Sequence, residues 1–184
     1  SEFYMCNATA TDGVLSEWIQ GNLKFTAEKG ADETVNDPAL KNGDEARFYA
    51  GNLLTISTLD GRNIGSLEFV LSEQGFEQQA TITSSVGTVN QAQDFNVVWV
   101  GDANTVSFAV GANDYGTKPS KKGQFDFTQI RLQYATVSGI LDVSAENDVN
   151  SAEYYNLDGV KVSNPSFGIF IRRNGGNIEK IMIK

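Results

Sequence analysis

Apolar residues in this chain recur at every second position rather than every third or fourth. Leu67, Phe69 and Leu71 alternate with Ser66, Glu68, Val70 and Ser72. Val106, Phe108 and Val110 alternate with Thr105, Ser107 and Ala109, and Ile130, Leu132 and Tyr134 with Arg131, Gln133 and Ala135. Successive side chains on a strand point to opposite faces, so the pattern buries one face and wets the other. One-sided burial suits antiparallel sheets. The segment Phe95 to Val100 is more apolar throughout and reads as a more buried strand. Turn residues punctuate these runs. Asp60-Gly61 and Asn63 separate strand-like segments 53–58 and 66–72, and Asn42-Gly43-Asp44, Gly101-Asp102, Asp158-Gly159 and Asn174-Gly175-Gly176 mark other turns. Only residues 12–20 have some helical potential. Strands at short intervals, with 18 glycines and three prolines, predict an all-β chain. The expected architecture is an antiparallel β-sandwich with a small C-terminal β tail.

The texture changes near residue 140. Gly139-Ile140-Leu141-Asp142-Val143 runs into the polar, linker-like Ser144-Ala145-Glu146-Asn147-Asp148-Val149-Asn150. The charge changes sign too. Residues 151–184 carry five basic and three acidic side chains, net +2, against nine and 20 in residues 1–150, net −11. The expected organisation is a sandwich over 1–141, a linker over 142–150 and a β-rich tail over 151–184. Tail strands are expected at Glu153–Leu157, Val160–Val162, Gly168–Arg172 and Ile178–Ile183.

Composition excludes whole classes of chemistry. The 184 residues hold no histidine and one cysteine. That removes Ser-His-Asp and Cys-His catalysis, histidine zinc sites, an intrachain disulfide and a Cys-rich metal centre. Cys6 has no histidine to activate it as a nucleophile. As a lipid anchor it is disfavoured, because Phe3-Tyr4-Met5 lacks the small residues of such a cleavage site. Asn7-Ala8-Thr9 matches a glycosylation sequon, a three-residue pattern of low specificity. A net charge of −9 argues against nucleic acid and anionic membrane surfaces. No apolar run approaches the ~20 residues of a membrane-spanning helix.

The tail carries a resemblance. Ala152-Glu153-Tyr154-Tyr155-Asn156-Leu157-Asp158-Gly159-Val160-Lys161-Val162 is followed by Asn164-Pro165, Gly168-Ile169-Phe170-Ile171-Arg172-Arg173 and Lys180-Ile181-Met182-Ile183-Lys184. This resembles the end of a type A sorting domain for type IX secretion, a C-terminal module of secreted Bacteroidetes proteins, with Phe170 where Tyr is commoner. The body, through Gly43–Ser57, Ile64–Phe69, Val98–Gly101, Val106–Phe108 and Gln129–Tyr134, is similar to an extracellular β-sandwich module of the same group. The resemblance implies export to the medium or the outer cell surface. It also implies that the expected all-β antiparallel sandwich is jelly-roll-like, a non-catalytic accessory domain beside surface proteins, peptidases and polysaccharide-directed enzymes.

Several constellations invite a functional reading. Gly111-Ala112-Asn113-Asp114-Tyr115-Gly116-Thr117-Lys118 has P-loop glycine spacing, but its last two residues are exchanged and no helix is expected after it, so it reads as a solvated loop. Glu68 and Asp126 alternate onto polar faces and read as surface residues, so no catalytic pair is assigned. Asp32, Glu33, Asp37, Asp44 and Glu45 form an acidic, loop-rich stretch. It reads as merely acidic or as oxygen ligands for calcium, the one cofactor left open, and no metal ligand is assigned. Sugar rings stack on exposed aromatics while polar groups fix their orientation. Trp99 and Tyr134 share parity with core residues. Trp18, after Leu15, reads as core or as a binding ring. Arg47 and Tyr49 share a face opposite Phe48, as an Arg stem over a Tyr ring or as part of a binding face. Tyr115, with Asp114 beside it, lies in the most polar loop. The expected ligand contacts are therefore Tyr115, Asp114, Tyr49, Arg47 and Trp18. The expected function is a non-catalytic binding module, for glycan first and a surface protein second. A polysaccharide-active enzyme with two carboxylates is the third reading. No nucleic-acid partner and no membrane span are expected.

Overall fold

Alternation in the sequence becomes strand after strand in the computed structural model, which describes residues 1–31, 34–136, 152–163, 165–174 and 176–183. The chain divides into two units, Ser1–Thr136 and Val137–Lys184. The first unit holds β1 (Glu2–Tyr4), β2 (Glu17–Gln20), β3 (Leu23–Glu28), β4 (Ala39–Lys41), β5 (Glu45–Tyr49), β6 (Leu53–Thr58) and β7 (Ile64–Leu71). A short helix, α1 (Glu73–Glu77), follows, then β8 (Ile82–Ser84), β9 (Thr88–Asn90), β10 (Val97–Ala103), β11 (Thr105–Val110) and β12 (Gln124–Tyr134).

These strands form two antiparallel sheets. One runs β4-β5-β12-β7-β10-β9, with β1 also on β12, and the other runs β2-β3-β6-β11-β8. Pairing is nested: β5 takes β12, β6 takes β11 and β7 takes β10. Each of β5, β6 and β7 therefore crosses to the other sheet and is matched by a returning strand. The inward faces meet in one core, as in an all-β sandwich. Phe69 on β7 lies edge-on to Phe108 on the opposite sheet at 5.2 Å, and to Phe125 and Phe127 on β12 at 4.8 and 5.1 Å. Burying one such ring contributes about 2–3 kcal/mol. Trp99 is fully buried and donates its indole N–H to the Val86 carbonyl at 2.7 Å.

The alternating runs 66–72, 105–110 and 130–134 are strands with Leu67, Phe69, Leu71, Val106, Phe108, Val110, Ile130 and Leu132 buried, as expected. Tyr134 is only half-buried at the core's margin, where the Arg62 guanidinium lies 3.7 Å from its ring centre. Residues 12–20 contain β2, and among the described residues the α-helix is α1, started by Ser72, whose hydroxyl accepts from Gly75 N. Three expectations fail. Gly101-Asp102 is no turn; it lies inside β10, where the register shifts between Val100 and Ala103. The buried strand begins at Val97, not Phe95, and Phe95 is 68% exposed. Asp126 is buried, not on the surface.

The second unit is one antiparallel sheet ordered β14-β13-β15-β16. Its strands are β13 (Glu153–Tyr155), β14 (Lys161–Val162), β15 (Gly168–Asn174) and β16 (Asn177–Ile183). They fall on the four expected segments. Among its described residues none is buried, and Phe167, Ile178 and Met182 are largely exposed. The expected linker, 142–150, lies outside the described residues. No described helix is long and apolar enough to cross a membrane.

Candidate functional site

Strand β5 alternates strictly, so Ala46 and Phe48 enter the core while Glu45, Arg47 and Tyr49 share the outer face. Asp126 on β12 stands directly opposite Arg47, flanked by the core rings Phe125 and Phe127. Parity therefore puts Asp126 on the outer face, as expected. Exposure is decided by α1. The helix packs across this stretch with Gly75 against the Asp126 carbonyl, and Ser72 N donates to that same carbonyl at 3.1 Å. A polar residue placed outward by the strand is thereby sealed in.

Three ionisable groups meet here. Arg47 donates to Glu45 Oε1 from Nη2 at 2.5 Å and from Nε at 3.2 Å, and its Nε also lies 3.2 Å from Asp126 Oδ2. Neither Asp126 oxygen accepts a hydrogen bond. Burial pushes the Asp126 carboxyl up to about 8; Arg47 pulls it down, and the Glu45 charge pushes it further up. Burial pulls the Arg47 guanidinium down, but Asp126 and Glu45 more than reverse this and leave it above its ordinary value.

Above this cluster opens a polar cleft of about 370 Å³, lined by Asn42, Glu45, Arg47, Glu73, Gln74 and Glu77. One wall is β5 and the Asn42-Gly43 turn; the other is α1. The loop carrying Asp114 and Tyr115 is tied to the C-terminal end of α1. Thr117 N donates to the Phe76 carbonyl at 3.2 Å and Lys118 N to the Glu77 carbonyl at 2.9 Å, while Lys118 Nζ pairs with the Glu77 carboxylate.

Of the expected contacts, Arg47 lines the cleft, and Tyr49, half-exposed, continues its face. Tyr115 is half-exposed and anchored by its amide to the Gln79 carbonyl at 3.1 Å, two residues beyond Glu77. Asp114 is exposed but accepts from the Thr81 hydroxyl. Trp18 is a correction: it is 3% exposed and stacked on Phe25 at 4.8 Å, so it belongs to the core. Among the described residues the guanidinium over a ring is Arg62 on Tyr134, whereas Arg47 turns to its two carboxylates.

The acidic stretch 32–45 does not converge. Asp32 and Glu33 lie outside the described residues, Asp37 faces Lys29 at 4.0 Å, Asp44 is exposed and Glu45 turns to Arg47. No group of three acids that could hold a metal occurs among the described residues. In the 111–118 loop, Lys118 is already paired with Glu77 and no helix follows. Glu68 is held on the outer face by Asn96 Nδ2 at 2.9 Å and Arg131 Nη1 at 3.1 Å.

The residues missed from the sequence are Asn42, Glu73, Gln74 and Glu77 on the cleft walls and Asp126 beneath. Two signals pointed to them: Ser72 as a helix cap, and an acid enclosed by two phenylalanines. Comparison with protein-family models, curated proteins and solved structures finds no match to this chain.

Proposed function

We propose that the sandwich unit is a non-catalytic carbohydrate-binding module, carried by a secreted or cell-surface protein. The observation that carries the reading is the cleft. Its walls offer donors from Arg47, Gln74 and Asn42 beside acceptors from Glu45, Glu73 and Glu77. A sugar is a ring of hydroxyls, each able to donate and accept, and such mixed linings suit it. Arg47 is held in place by two carboxylates, so little side-chain freedom is lost when a ligand docks. Tyr49 continues the same face as an aromatic surface.

Binding rather than catalysis is favoured by the position of the acids. Glycoside hydrolysis needs a proton-donating carboxyl that touches the substrate, with a second carboxyl across the bond. Asp126 is the acid whose proton is held most firmly here, and it is sealed from solvent. The nested pairing of β5 with β12, β6 with β11 and β7 with β10 supports the jelly-roll-like reading of the sandwich. The tail's likeness to a sorting domain supports export.

Screening the purified chain on a glycan array, followed by calorimetry, tests the proposal. Saturable binding to one oligosaccharide class is expected, weakened about tenfold by Gln74→Ala. Failure to bind any glycan would overturn it. A protein ligand is the second reading, favoured by Ile19, 60% exposed on edge strand β2, and by the exposed ring of Phe95.

A further inference from the structure

The charges around the cleft do not balance. Glu45 already compensates Arg47, and Lys118 compensates Glu77. Glu73 is exposed on α1, and among the described residues no lysine or arginine pairs with it. Beneath them lies Asp126, fully buried, its carboxyl directed at the cleft-lining Arg47 and both its oxygens without a hydrogen-bond donor. Asp126 is sealed beneath Arg47 and does not line the cleft, so the carboxylate that faces a ligand without a cation of the protein beside it is Glu73. The unit around it is acidic as well, which draws cations toward any cleft in its surface.

We infer that the ligand of the Arg47–Glu73 cleft is a cationic amino sugar, whose ammonium group sits against Glu73 and whose hydroxyls meet Arg47, Gln74 and Asn42. The inference rests on the carbohydrate-binding reading and narrows it. An ammonium group brings the positive charge that Glu73 lacks, together with three donors. A neutral hexose brings the hydroxyls without the charge. A uronic acid or a sulfated sugar would place an anion among Glu45, Glu73 and Glu77 and be repelled.

The test uses the full chain at about pH 6, where an amine carries its proton. Calorimetry would compare four probes of equal length: a glucosamine oligomer, its N-acetylated form, a neutral glucose oligomer and a lysine oligomer. The glucosamine oligomer should bind about tenfold more tightly than the two neutral sugars. That preference should shrink with added salt. It should be lost in Glu73→Gln and retained in Glu28→Gln, which alters an exposed acid on β3 away from the cleft. Glu73 is exposed, so its substitution leaves the core intact. Equal binding of all three sugars would overturn the ammonium inference and leave the glycan module standing. A lysine oligomer binding as tightly as glucosamine would overturn the sugar assignment in favour of a basic peptide. Binding of no probe would overturn the inference, and only silence across the whole glycan array would overturn the module with it.

Discussion

Asp126 shows how far one side chain's environment departs from its place in the alternation. Its carboxyl is buried, so the fold holds its proton up to about 8, whereas in the unfolded chain it titrates near the ordinary ~3.9. Between those values the folded state binds a proton that the unfolded state has released. Stability is therefore fullest below the unfolded value and falls as pH rises toward about 8, beyond which it levels off. Urea unfolding at about pH 5 and about pH 9 should show a loss on the order of 2–4 kcal/mol. In Asp126→Asn most of this loss should vanish, since an amide does not ionise. An equal slope in both proteins would mean that Asp126 reaches water. The neighbouring Arg47 is unsuited to such a test. Its removal leaves buried carboxyls unpaired, at a cost of about 3–5 kcal/mol.

At the scale of elements, the site depends on a five-residue helix that could not stand alone. α1 is held by Ser72 at its start, by the Ser72 N–H on the Asp126 carbonyl, and by the 112–118 loop at its end. Close approach to β12 is allowed because residue 75 has no side chain: a Cβ there would stand 2.2 Å from the Asp126 carbonyl oxygen. Gly75→Ala must lift α1 from the strand. It should cost about 1–3 kcal/mol, widen the cleft and admit water to Asp126. A carboxyl titration followed by NMR should then show the Asp126 value moving down toward the ordinary range. An unmoved titration with normal stability would show that α1 does not seal the acid.

At the scale of the whole molecule, the two units differ in what they can bury. The first has a continuous core from Phe3 to Leu132 with a cluster of phenylalanines at its centre. The second is a single sheet, and among its described residues no side chain is buried. Cooperative stability follows buried apolar area, so it resides in the first unit. A chain ended at Thr136 should unfold in urea at the same midpoint and with nearly the same slope as the full chain. A clearly lower midpoint would show that the tail shares in the core.

Local physics made much of this legible in advance. Period-2 burial determined that the chain is all-β and antiparallel, and it placed Phe48, Phe69, Trp99 and Phe108 inside and Arg47 and Tyr49 outside. Turn chemistry located Asn42-Gly43 and Asp60-Gly61, where the chain takes positive φ. What alternation cannot say is what lies over an outward face. Asp126 points away from the core by parity, yet α1, remote from it in sequence, decided that it is buried. Trp18 has the composition of a binding ring, yet its stack on Phe25 across the β2–β3 pair decided otherwise. Face is set by the geometry of one strand, whereas burial and charge balance belong to whatever the fold brings against it.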